Sequence, residues 1–290
     1  MTLACSQGGG SSLSPLRPAV QQTRFTYAGV LRTYRVYAPP TTGPRPPSAL
    51  VVVLHGGAAT INDAVATTMF DQAAAAGNFI VAYPQGTRGE WNAGFCCGTA
   101  PGRMVDDVGF LNQVLDHVEA DYPVDRNRVF FTGVSNGAMM AYRFACENAD
   151  RVTAVGSVAG SMVLADCHPS RPLSVIELHG TADPEVPYAG GPTNTAVQSS
   201  LVLPSTQEMT ARWATLDGCT TPSTPATTGP VTTVTWTGCA GGTSVELVSV
   251  QGGGHVWFAP GLGPADGALD ATTVFWQFFR QLPNRQPAAP

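Results

Sequence analysis

Arg128-Val129-Phe130-Phe131-Thr132-Gly133-Val134-Ser135-Asn136-Gly137-Ala138-Met139-Met140 runs from β-branched and aromatic residues, through a Gly-x-Ser-x-Gly turn, into small and unbranched residues that suit the opening of a helix. The pattern predicts a strand, a sharp turn and a helix, with Ser135 in a strained backbone conformation at the turn. Gly133 and Gly137 supply the room such a turn needs, and Ser135 Oγ is left exposed above the end of a sheet. In a chain with 32 glycines a bare Gly-x-Ser-x-Gly would carry little, but its place between strand and helix makes it read as a nucleophile elbow.

A serine hydroxyl is a poor nucleophile until a base takes its proton, and that base must itself be oriented by a third group. The elbow therefore predicts an acid and then a histidine further along the chain. The histidines after Ser135 are His168, His179 and His255. His168 sits in a Pro-rich stretch with little to fix it, and His179 closes a strand, where a wall or backbone-bonding role is expected. His255 lies in Gln251-Gly252-Gly253-Gly254-His255-Val256-Trp257, a glycine loop directly after the last strand, and is assigned as the general base. Asp183, in His179-Gly180-Thr181-Ala182-Asp183-Pro184-Glu185, is assigned as the orienting acid in preference to Asp166 and Glu185. The oxyanion of a tetrahedral intermediate needs backbone N–H donors. These are expected from Asn136, which follows the serine, and from Gly57, with Ala58 next in line, in the loop His55-Gly56-Gly57. His55 is expected to support that loop.

Working outward, edge strands are expected at Arg24–Tyr27 and Leu31–Tyr37. Ala49-Leu50-Val51-Val52-Val53-Leu54 and Phe79-Ile80-Val81-Ala82-Tyr83 are continuous apolar runs, the mark of strands covered on both faces of a parallel sheet. A helix is expected from about Asn62 to Ala76. Another is carried by Val108, Leu111, Leu115, Val118 and Tyr122 behind Asp106-Asp107, whose charges suit a helix N-terminus. Strands follow at Val152–Val158, Leu173–Leu178, Val231–Trp236 and Ser244–Val250, with helices at Thr206–Asp217 and Thr272–Gln281. The alternation implies an α/β chain with a mostly parallel sheet and helices on both faces. Residues 1–22 read as a flexible tether, 23–283 as one catalytic domain and 284–290 as a tail.

The chain of 290 residues has a net charge of −5 and no basic run, so nucleic acid is not an expected partner. All 15 basic residues are arginine, a bias that points to no mechanism. Seven cysteines without C-x-x-C spacing suit disulfides in an oxidising compartment better than a zinc site, and no metal is expected. Small residues before Cys5 and a Gly/Ser stretch after it look like the end of a bacterial lipoprotein signal, or else a stray cysteine in a disordered terminus. No stretch is long and apolar enough to span a bilayer.

Taken with the elbow, the stretches Leu54–Gly57, Tyr83-Pro84-Gln85-Gly86, Trp91–Gly98, Asp106–Phe110, His179–Asp183 and Gly252–His255 resemble the secreted polyhydroxybutyrate depolymerase-like esterases, a group that includes feruloyl and acetylxylan esterases. The resemblance spans about residues 24 to 280. It implies an α/β-hydrolase fold, no cofactor and the triad Ser135, Asp183 and His255. It also implies pairing of Cys219 with Cys239, makes Cys146 with Cys167 plausible, and leaves Cys96 and Cys97 as a vicinal pair or as partners for those four. The stretch Gly57-Ala58-Ala59 departs from the group, which weakens the second oxyanion donor. The chain ends at Pro290 without an appended substrate-binding domain, so efficient attack on crystalline polyester is not expected.

Trp257, Trp91, Phe95 and Tyr188 are candidates to line an acyl or aromatic subsite, with loop-anchoring as the alternative for each. The expected enzyme is a secreted or lipid-tethered monomer that hydrolyses polyester oligomers or feruloyl or acetyl esters through an acyl-enzyme. An acyltransferase on the same fold and a non-catalytic carbohydrate- or polymer-binding protein are the competing readings.

Overall fold

The computed structural model describes residues 19–164, 166–194, 199–261 and 267–284. Cys5, most of the expected tether and residues 285–290 of the tail lie outside the described residues.

The strands are β1 (Val20–Tyr27), β2 (Val30–Tyr37), β3 (Ser48–Leu54), β4 (Ile80–Pro84), β5 (Val124–Val134), β6 (Ala154–Val158), β7 (Ser174–Gly180), β8 (Gly191–Asn194), β9 (Ser199–Leu203), β10 (Thr221–Pro222), β11 (Ala226–Thr228), β12 (Val231–Thr237) and β13 (Val245–Val250). The helices are α1 (Ile61–Thr68), α2 (Phe70–Gly77), α3 (Asp107–Asp121), α4 (Asn136–Glu147), α5 (Thr206–Leu216) and α6 (Ala271–Gln281). One sheet runs β1-β2-β4-β3-β5-β6-β7-β13-β12-β10, with β11 also paired to β12. Its centre, from β4 to β13, is parallel, and antiparallel strands flank it on both sides.

The apolar runs take the central positions because both of their faces are covered. Leu50, Val52 and Leu54 of β3 enter one core cluster with residues of α3, α4 and α5, while Ala49, Val51 and Val53 enter the other with residues of α1, α2 and α6. Such period-two division is what a strand between two helical layers requires. Each fully buried Val or Leu contributes roughly 1.5–3 kcal/mol, so the runs hold the sheet's centre in register.

Three expectations are corrected. Strand β1 begins at Val20, inside the stretch read as tether, and the Ala19 carbonyl already accepts from Ala38 N–H at 2.9 Å. Strand β2 is not an edge, since Tyr34–Tyr37 pair with β4. The single helix expected over Asn62–Ala76 is two helices broken at Met69, whose φ of 53° is left-handed. The apolar pattern continues across that break because both helices cover the same face of the sheet.

Chain order around β3 places the site. From β3 the chain crosses to β4 on one side, then returns past β3 to β5 on the other. The loops leaving β3 and β5 thus diverge at their C-terminal ends, where open α/β sheets form ligand crevices.

Candidate active site

Ser135 stands between β5 and α4 with φ 54° and ψ −124°, a costly conformation for a residue with a side chain. Its N–H donates to Val158 O at 2.9 Å and its carbonyl accepts from Met139 N–H at 2.9 Å, so sheet and helix hold the turn between them. The flanking glycines are steric necessities. A Cβ on Gly133 would meet Gly137 C and Leu54 O at 2.7 Å, and one on Gly137 would collide with the carbonyls of Leu54 and His55.

Strands β7 and β13 are parallel neighbours with Gly180 opposite Val250, so the loops that follow them leave the sheet side by side. They carry Asp183 and His255. Asp183 Oδ2 lies 2.8 Å from His255 Nδ1, and Asp183 Oδ1 accepts from Glu185 N–H at 2.8 Å and Val186 N–H at 2.9 Å. Burial works to raise the Asp183 carboxyl, but hydrogen bonds from His179 and His255 outweigh it and hold the group well below the usual carboxylate range. The far nitrogen of His255, Nε2, lies 3.8 Å from Glu185 Oε2. Among the described residues Ser135 Oγ forms no hydrogen bond within the fold. The structure therefore brings Asp183 and His255 into contact, and leaves Glu185 beside the imidazole rather than the serine.

The loop after β3 sits against the elbow: a Cβ on Gly56 would lie 3.4 Å from Val134 Cγ1 and 3.9 Å from Ser135 Cβ. His55 supports it from beneath, buried, with Nδ1–H donating to Gly56 O at 2.7 Å and Nε2 accepting from Gly86 N–H at 2.9 Å. Burial lowers its pKa to about 4, so the ring is neutral when it makes these bonds. Gly57 follows in the same loop. Asn136 occupies the first position of α4, where a helix leaves its N–H without an acceptor.

The Asn136 side chain has a function that its place in the elbow did not signal. Its Oδ1 accepts from Trp91 N–H at 2.8 Å and its Nδ2 donates to Trp91 O at 3.0 Å. Trp91 Nε1–H in turn donates to His55 O at 3.0 Å. Trp91 is therefore a fully buried tie between the elbow, the loop after β3 and the segment before α3, rather than a subsite wall. The same segment is tied again at Asn92, whose N–H donates to Asp107 Oδ2 at 2.8 Å. The other oxygen of Asp107 takes Arg32 at 2.6 Å in a buried pair.

Trp257 is also corrected. It is 2% exposed, packs edge-on against Phe70 and Phe275 and donates Nε1–H to Thr272 Oγ1, so it anchors the layer formed by α2 and α6. A tryptophan two residues from His255 can face the core because the chain bends at His255 and Val256. Tyr188 lies edge-on to His179 and its hydroxyl bonds Ser249 Oγ at 2.6 Å. Phe95 alone of the four is well exposed, at 63%, and borders a cavity of about 530 Å³ with Met104, Arg143 and Leu164. A smaller cavity of about 120 Å³ adjoins the elbow, lined by Gly56, Ala59, Ala64, Thr68 and Val134.

Cys146 is bonded to Cys167, Cys219 to Cys239 and Cys96 to Cys97. Among the described residues no group of three or more His, Cys, Asp or Glu is arranged to hold a metal ion. Among them, too, no helix is long and apolar enough to cross a membrane.

Comparison with known proteins agrees with this architecture. The Phospholipase/Carboxylesterase family pattern matches residues 106–211, which include the elbow and Asp183. The chain is 30% identical to the putative esterase NocK of Nocardia uniformis subsp. tsuyamanensis, over 79% of this chain and 72% of that protein. It is 30% identical to feruloyl esterase B of Piromyces equi over 70% of this chain, and spans 36% of that relative's length. Among solved structures, the acetyl xylan esterase of Aspergillus awamori shares the fold with a TM-score of 0.59 at 15% identity, covering 81% of this chain and 94% of that one. The chain belongs to the α/β-hydrolase family of carboxylic ester hydrolases.

Proposed function

We propose that this protein is an exported serine esterase, with Ser135 as nucleophile, His255 as general base and Asp183 as the acid that orients it. The observation that carries the reading is the 2.8 Å contact between Asp183 and His255, 72 residues apart in sequence, on the sheet edge from which the strained Ser135 turn also emerges. Ser135 Oγ attacks the ester carbonyl while His255 Nε2 takes its proton, which then goes to the departing alcohol. Water, activated by the same nitrogen, hydrolyses the acyl-enzyme. The N–H groups of Asn136 and Gly57 are proposed to receive the oxyanion, each such donor supplying on the order of 3 kcal/mol of transition-state stabilisation.

The proposed natural substrates are feruloyl or acetyl esters, in keeping with what the relatives from Piromyces and Aspergillus are named for. Short polyester oligomers are the second class to test. Export is supported by the six paired cysteines. One catalytic unit, running from β1 at Val20 through α6, is proposed to act as a monomer.

The test is hydrolysis of methyl ferulate, p-nitrophenyl acetate, butyrate and octanoate, and hydroxybutyrate oligomers by wild type, Ser135→Ala and His255→Ala. The expected result is activity in wild type that falls by about 10⁴-fold or more in either variant. Retention of activity by Ser135→Ala would overturn the reading.

A further inference from the structure

Asp183 Oδ2 meets a second imidazole besides His255. His179 Nε2 lies 3.3 Å from it and 2.9 Å from Val186 O. A carbonyl can only accept, so Nε2 carries a proton, and that proton is aimed between Val186 O and the Asp183 carboxylate. On the other side of the ring, Nδ1 is 3.0 Å from Glu177 Oε1 and 3.3 Å from Thr206 Oγ1. Glu177 is completely buried in the middle of the sheet, and its second oxygen accepts from Tyr142 OH at 3.0 Å. A buried carboxylate two residues before a buried histidine, with no exposed edge, is an expensive arrangement unless the groups serve one another.

Resting on the triad reading above, we propose that His179 is a positioning residue for the reaction. Its Nε2–H fixes the Asp183 oxygen that holds His255, and Glu177, braced by Tyr142, fixes His179. The chain of contacts runs Tyr142, Glu177, His179, Asp183, His255, from the second turn of α4 through β7 to the loop that bears the base. No proton passes between its members during turnover. It keeps Asp183 ionised and its Oδ2 directed at His255 as that imidazole gains and loses the serine's proton.

The groups facing His179 are Glu177 from β7, Asp183 and Val186 O from the following loop, Thr206 from α5 and the Tyr188 ring. Burial lowers the His179 pKa, but hydrogen bonds to Asp183 and Glu177 more than offset this and raise it to about 9. The ring is thus a cation in the neutral range. It stands opposite His255 on a shared oxygen, which gives it electrostatic influence on the base in addition to its steric role.

The experiment compares His179→Leu, which removes the donor, with His179→Gln, which keeps an N–H on the same side, in kcat, KM, the pH profile of kcat and the most downfield imidazole proton resonance. The leucine variant is expected to lose about tenfold or more in kcat with KM within about twofold, and to move both the acid limb of the profile and the resonance. The glutamine variant is expected to recover most of the kcat. A folded leucine variant with unchanged kcat, profile and resonance overturns the proposal, and so does equal impairment of the two variants. If the leucine variant does not fold, Glu177→Gln decides: a shift in the resonance and acid limb supports the proposal, and no shift overturns it. Ser135→Ala and His255→Ala run alongside, because loss of activity there with an indifferent His179 would sink this inference alone.

Discussion

The side-chain amide of Asn136 is paired to the main chain of Trp91 through both of its polar atoms, at 2.8 and 3.0 Å. One residue thus supplies a backbone N–H at the start of α4 and a side chain that moors the loop facing it. Asn136→Ala keeps the first and removes the second. It leaves the buried Trp91 N–H without a partner, while Trp91 O still accepts from the Ala93 and Cys97 N–H groups. The change therefore costs about 1–3 kcal/mol of stability and slows turnover by about tenfold or more as the loop loosens. Urea denaturation and kcat on the same ester measure the two effects, and a stable variant with full activity would show the pairing to be idle.

His179 makes stability depend on alkaline pH. Its folded pKa of about 9 lies above the ordinary 6.5, so its contribution is fully present below 6.5 and disappears as pH rises through 9. Asp183 acts at the other end. Its folded pKa is depressed, so its contribution is present above the ordinary 3.8 and is lost as pH falls towards the folded value. The stability difference between wild type and His179→Gln, measured by denaturant titration, should therefore shrink between pH 6.5 and pH 9 and beyond. A constant difference across that window would contradict the assignment.

Asp217 has the opposite sign. Burial at the end of α5 pushes its carboxyl up to about 7, against hydrogen bonds from Leu173 N–H and Thr243. A raised acid stabilises least when it must ionise, so the cost grows from the ordinary 3.8 to about 7 and then levels off. Asp217→Asn is expected to be more stable than wild type at pH 8 by about 1–3 kcal/mol, with the gain vanishing near pH 4. Thermal melts at the two pH values check this.

The Cys219–Cys239 bridge closes a loop 20 residues apart, over the polar excursion of β10, β11 and β12. Replacing both cysteines by serine should cost about 3 kcal/mol of stability, through freedom returned to the unfolded chain. Activity should hold within about twofold, since Cys239 precedes β13 and lies at the end of the sheet away from His255. Guanidinium unfolding and ester turnover of the double serine variant provide the check.

The heart of the sheet was readable from sequence because β3 and β4 are almost wholly apolar runs, and a strand that must bury both faces cannot hide that fact. The pairing of Asp183 with His255 was readable because each residue ends a strand-to-loop transition. Other features have no such signature. The hairpin of β8 and β9 is short, with a polar β8 interrupted by Pro192 and a β9 whose apolar residues Leu201, Val202 and Leu203 are too few to establish a period. Trp91 and Trp257 look alike in a loop, and only packing decides that one braces the elbow and the other fills the layer under α6. Glu177 and His179 are strand residues whose complete burial no single sequence announces, so their joint hold on Asp183 appears only in three dimensions.

Because β7 and β13 are adjacent and in register, with Gly180 opposite Val250, the separation of Asp183 from His255 is set by neighbouring strand ends and not by the chain between them. Everything from β8 to β12 is a detour that departs from one strand and returns to the next. Its surface segments can be lengthened, shortened or exchanged with the acid and the imidazole still meeting at the same spot. This interval is the natural place for a lineage, or an engineer, to fit new attachments to the molecule without rebuilding its centre.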